Sequence, residues 1–61
     1  MKRRHFIKHL EENNCLLKRE GGNHSIFINT KSNKISAVPR KIEIKENLII
    51  KICKDLEIPA P

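Results

Sequence analysis

The two glycines of the chain stand side by side as Gly21-Gly22 between two short apolar runs, and this corner limits the fold more than any other feature. Before it, Cys15-Leu16-Leu17-Lys18-Arg19 reads as a strand; after it, the run from His24 to Asn29, rich in Ile and Phe, reads as a second. Glycine takes positive φ at little steric cost, so the pair is expected to form the turn between them. Thr30-Lys31-Ser32-Asn33 is a polar hairpin connection to a third strand over Lys34 to Val38. Pro39 has no N–H to give a ladder, so it closes this strand or lies at a sheet edge.

The flanks have a different period. Phe6, Ile7 and Leu10 fall at i, i+1 and i+4 with charges between them, the pattern of an amphipathic helix from Lys2 to Glu12. Asn13-Asn14 can end it, because asparagine tolerates the left-handed conformation. Leu48, Ile49, Ile52, Cys53 and Leu56 repeat at i, i+1, i+4, i+5 and i+8, which predicts a second helix from Lys45 to Leu56, and Pro59 and Pro61 forbid its continuation. Helix, three strands, helix is best satisfied by an α+β fold: a three-stranded antiparallel sheet with both helices on one face and the other free for a ligand.

Sixty-one residues make one domain, and a chain this short buries only about 60% of the surface it exposes when unfolded. That excludes a deep substrate cavity and favours a shallow groove. Cys15 and Cys53 lie outside any Cys-x-x-Cys pattern, so they read as small buried hydrophobes rather than a disulfide scaffold or zinc site. Met1-Lys2-Arg3-Arg4 resembles the start of a signal peptide, but Lys8, His9, Glu11 and Glu12 interrupt the apolar run that should follow. With no membrane span either, a cytoplasmic protein is expected.

Thirteen Lys and Arg against seven Asp and Glu give a net charge of +6, which favours a polyanionic partner, RNA or DNA first. Lys18, Arg19, Lys31, Lys34, Arg40, Lys41 and Lys45 fall on the strands and their connections, where they form either a positive rim around His24 or a solvated sheet edge. Arg40 is the stronger candidate among them, since Pro39 fixes the backbone before it and a guanidinium can grip phosphate with two hydrogen bonds.

His24 is placed at the start of a strand, and imidazole is the side chain whose ordinary pKa lies nearest neutrality. It is therefore the candidate for proton transfer, against the plainer reading of a histidine paired with backbone at a turn. Gly22 is a candidate for phosphate contact through its backbone, although a tight turn explains the glycine pair more simply. His5, His9 and Glu12 share a helix face at a spacing that suits a metal, but no fourth ligand is apparent. Phe27 reads as core rather than as a base-stacking platform, because strand parity puts it on the face opposite His24. The same parity puts Ile26 and Ile28 beside the histidine, which implies either a bulge near Asn23 or a half-covered outer face.

The opening helix ending Leu10-Glu11-Glu12-Asn13, the segment Arg19-Glu20-Gly21-Gly22-Asn23-His24-Ser25-Ile26-Phe27, the corner Ala37-Val38-Pro39-Arg40 and the closing Ile52-Cys53-Lys54-Asp55-Leu56 together resemble the HicA toxin family, the ribonuclease half of a bacterial toxin-antitoxin pair. The resemblance covers nearly the whole chain, and the glycine-to-histidine segment is its specific part. It implies a double-stranded-RNA-binding-like α-β-β-β-α fold, cleavage of messenger RNA without a metal or other cofactor, and neutralisation by a HicB-type antitoxin. It aligns His24 with the family's catalytic histidine.

The chain departs from the family at one position, since many relatives carry a second histidine after the Val-Pro-Arg corner where this chain has Lys41. The expected machinery is thus His24 as general base or acid, with Lys18, Arg19, Arg40, Lys41 and Gly22 as the RNA-binding residues, on a protein that is monomeric when free. Two other functions fit the same composition: a non-catalytic RNA-binding module, and a protein-interaction domain whose charge serves an acidic partner.

Overall fold

The computed structural model describes residues 1–61. Its elements are α1 (Arg3–Glu12), β1 (Cys15–Gly21), β2 (His24–Asn29), β3 (Ile35–Pro39) and α2 (Glu46–Leu56). The strands form one antiparallel sheet in the order β1-β2-β3. This is the α-β-β-β-α, α+β arrangement expected from the two periodicities. β1 runs beyond Arg19 because Gly21 pairs with His24, so the reversal is confined to Gly22 and Asn23, with Gly22 at φ +22°.

Burial alternates along β2. Ser25, Phe27 and Asn29 are buried, whereas Ile26 and Ile28 are half-buried and His24 is exposed. Phe27 belongs to one apolar core with Phe6 and Leu10 of α1, Ile49, Ile52, Cys53 and Leu56 of α2, and Cys15, Val38 and Ile44. α1 packs on β1 and α2 on β3, so both helices cover the face that Phe27 presents.

Left-handed backbone ends both helices. Asn14, at φ 67°, follows α1 as its side-chain chemistry allows; Glu57, at φ 59°, follows α2, where the Ile58 N–H closes onto the Cys53 carbonyl at 2.9 Å. Buried Asn29 secures this end to the sheet by donating from Nδ2 to the Leu56 carbonyl at 2.7 Å, while its Oδ1 accepts from the Lys31 N–H at 2.9 Å. At the opposite end, the Arg3 N–H donates to the Ile42 carbonyl at 2.7 Å and the Ile44 N–H to the Met1 carbonyl at 2.9 Å, fastening the β3–α2 connection to the start of α1.

No helix packs on the outer face of the sheet. Register sets Leu16, Ile28 and Ile35 in one row across it, Arg19, Ile26 and Ala37 in the next, and Gly21, His24 and Pro39 in the last. The bulge lies in β1 between Leu17 and Arg19, not near Asn23. The extra residue, Lys18, is what lets Leu16 and Arg19 share a face despite odd spacing. β2 itself is regular, so of the two explanations for an apolar neighbourhood around His24, the half-covered outer face holds: Ile26 and Ile28 are half-buried there, while Leu16 and Ile35 on the flanking strands are exposed. No helix is long and apolar enough to cross a membrane.

Candidate active-site groove

His24 opens onto a groove of about 980 Å³ at one end of the sheet. Gly22, Asn23 and His24 form one wall; Pro39, Arg40 and Lys41 form the other; Glu43, Ile44, Lys45, Asn47 and Leu48 close it where the chain enters α2. Backbone pairing holds the two walls together. Pro39 is the register partner of His24, and the Arg40 N–H donates to the Asn23 carbonyl at 3.3 Å beyond it.

The lining is cationic. Arg40, Lys41 and Lys45 share it with one carboxylate, Glu43, whose Oε1 lies 3.8 Å from the amino group of Met1. An exposed imidazole sharing a lining with three cations can exchange protons with hydroxyl groups adjoining a bound phosphodiester while the cations offset the phosphate charge. The α2 N-terminus adds unpaired backbone N–H groups of the same sign at that end.

A chain of polar contacts lies behind the groove. Arg3 donates from Nε to the Pro39 carbonyl at 2.9 Å and from Nη2 to Ser25 Oγ at 2.9 Å. Ser25, fully buried, donates its own hydroxyl hydrogen bond to Glu20 Oε1 at 2.8 Å, and the same oxygen lies 3.7 Å from Arg40 Nη1. The Glu20–Arg40 pair is half-exposed, so its direct contribution to stability is on the order of 0–1 kcal/mol.

Of the residues singled out in the sequence, His24, Gly22, Arg40 and Lys41 come together at the groove, with Lys45 beside them. Lys18 sits at the β1 bulge and Arg19 on the open face opposite Ile26, and neither lines the groove. Lys31 and Lys34 belong to the hairpin at the other end of β2, about 17 Å from His24 at the rise of a strand. A continuous basic rim around His24 does not form. At Gly22 an added Cβ would meet nothing within 4 Å, so its positive φ, rather than crowding, is the reason for glycine there.

Sequence reading missed Arg3, Ser25, Glu20 and Glu43. Strand parity predicts that Ser25 faces the helices, but nothing local to Arg3 indicates that it reaches residues of β2 and β3. His9 donates from Nε2 to the Pro59 carbonyl at 2.7 Å, tying down the chain after α2, and no three His, Cys, Asp or Glu side chains gather as a metal site. Burial raises the pKa of both Cys15 and Cys53, and the charge of Cys15 raises that of Cys53 further, which suits core thiols and not nucleophiles.

The family model described as HicA toxin of bacterial toxin-antitoxin matches residues 3–58, a span that takes in every residue of the groove. No curated protein and no solved structure matches the chain.

Proposed function

The chain belongs to the HicA toxin family of bacterial toxin-antitoxin systems, and from that premise we propose that it is an endoribonuclease that cleaves messenger RNA without a metal ion, using His24 for proton transfer. The observation that carries this reading is the groove itself, in which one exposed histidine shares a lining with Arg40, Lys41 and Lys45.

The chemistry needs three things. His24, as base, takes the proton of a ribose 2′-hydroxyl, and the freed 2′-oxygen bonds to the adjacent phosphorus. Arg40 and the neighbouring lysines offset the charge on the phosphoryl oxygens of the resulting phosphorane. The bond from phosphorus to the 5′-oxygen then breaks, and that oxygen takes a proton from water or from the His24 imidazolium. The products are a 2′,3′-cyclic phosphate and a 5′-hydroxyl. With one histidine the acid–base contribution is on the order of 10²–10⁴-fold.

In this reading the protein acts in the cytoplasm, monomeric until a HicB-type antitoxin binds. The open sheet face supports a protein as the neutralising partner. Its apolar row of Leu16, Ile28 and Ile35 lies on the same face as His24, two rows away, and carries no aromatic ring on which a base would stack, since Phe6 and Phe27 are both buried. An antitoxin that covers this row and offers carboxylates to Arg19 and Arg40 would bury the histidine.

The test is degradation of a long single-stranded RNA in EDTA by the wild type and by His24→Ala, with folding checked in both. Cleavage by the wild type alone supports the reading. Binding without cleavage is the second reading, favoured by Lys41 standing where many relatives carry a histidine; cleavage that appears only in Lys41→His would establish it.

A further inference from the structure

We propose that Arg3, at the first turn of α1, is a positioning residue of the groove: it holds the Pro39–Arg40 corner against the His24 strand and, through Ser25 and Glu20, sets the direction of the Arg40 guanidinium. The proposal rests on the groove being the RNA site.

The geometry points to this role because both acceptors of Arg3 adjoin the site. Pro39 is the register partner of His24 and immediately precedes Arg40; Ser25 immediately follows His24. One planar guanidinium bridges the two strands that carry the site's imidazole and its guanidinium, and Arg4, one position on, faces solvent. Proton direction is also fixed. Arg3 can only donate, so Ser25 Oγ must accept from it, which leaves the Ser25 proton for Glu20 Oε1. Glu20 is thereby held where it lies 3.7 Å from Arg40 Nη1. Glu20 and Ser25 are themselves register partners, so the relay runs straight across the β1–β2 ladder.

The apolar anchor of α1 lies elsewhere, in Phe6 and Leu10, which are fully buried in the core. The polar contacts of Arg3 are directed at the groove, and a displacement of about 1 Å in such a site can cost up to about 10²-fold in rate.

The test compares Arg3→Lys, which keeps the charge but loses the two-pronged donation, and Ser25→Ala, which interrupts the relay, with Arg40→Ala and the double variants. We expect Arg3→Lys and Ser25→Ala to raise KM for RNA cleavage about fivefold or more and to lower the salt slope of RNA binding by about 0.7, the share of one phosphate contact on a single strand. Neither should lower affinity further in the Arg40→Ala background. Unchanged KM and slope at reduced melting temperature, or losses that simply add to that of Arg40→Ala, would make Arg3 structural only and overturn the proposal. Should the wild type fail to bind RNA, the parent reading fails, and the positioning is read without RNA from the NMR signal of the Arg40 Nε–H. A shift of that signal in both variants supports the coupling, and a signal unchanged in both refutes it.

Discussion

Pro39 lies directly across the sheet from His24, so the residue after the proline leaves the ladder at the mouth of the groove, with its N–H 3.3 Å from the Asn23 carbonyl. The position of Arg40 relative to the histidine is thus set by backbone pairing. The lysines of the β2–β3 hairpin have no comparable tie to the site.

RNA affinity should follow that division. Arg40→Ala and Lys41→Ala are expected to weaken binding across sequences and to lower the salt slope by about 0.7 each, whereas Lys31→Ala and Lys34→Ala leave the slope within error. Fluorescence titration of a single-stranded RNA across a salt series measures all four. Equal slopes for the two pairs would place RNA elsewhere on the surface.

Asn29 supports both the hairpin and the end of α2. Asn29→Ala leaves the Leu56 carbonyl and the Lys31 N–H without their partner, and a loss of about 2 kcal/mol in unfolding free energy is expected. Urea denaturation followed by circular dichroism gives the value.

Glu57 occupies a left-handed backbone conformation that costs a residue with a Cβ about 1–2 kcal/mol. Glu57→Gly removes that strain and returns part of it as chain entropy in the unfolded state, for a net gain of about 1 kcal/mol. In a domain of this size the melting temperature should rise by about 4–8 °C. A fall would show that the Glu57 side chain does more than cap the helix.

The buried thiols predict the alkaline limb of stability. Burial holds the Cys15 and Cys53 pKa values above the ordinary 9.0, so above about pH 9 the unfolded chain releases protons that the folded chain keeps. The unfolded state then binds fewer protons, and unfolding free energy falls as pH rises through this range. The contribution is complete below pH 9 and lost as pH passes the folded values. Denaturation midpoints between pH 8 and 10.5 should drop less steeply in Cys53→Ala, compared at the slope rather than the absolute stability.

The same two thiols show how local information carries into the fold. Cys53 lies on the stripe with Ile49, Ile52 and Leu56 and is buried with it, because a helix has to place i and i+4 on one side. The strand that starts at Cys15 was legible from its apolar residues, yet its length was not. The sequence pattern ends it at Arg19, whereas Glu20 and Gly21, which carry no strand preference, are drawn into β1 by pairing with Ser25 and His24. Parity placed Phe27 inward and His24 outward, but it could not locate the bulge, since that depends on how the partner strand lines up.

The sequence alone determined the order of elements, the buried face of each helix, the turn at Gly22 and the histidine beside it, because each follows from residue period or from backbone freedom within a few positions. Tertiary structure decided which charges share a site. Lys41 and Lys45 line the groove with His24 while Lys31 and Lys34 do not, for the strand carries the hairpin away by its own length. Arg3 reaches Pro39 and Ser25 only because α1 packs over the sheet and brings its first turn to the corner, a contact spanning 36 residues that no local pattern encodes.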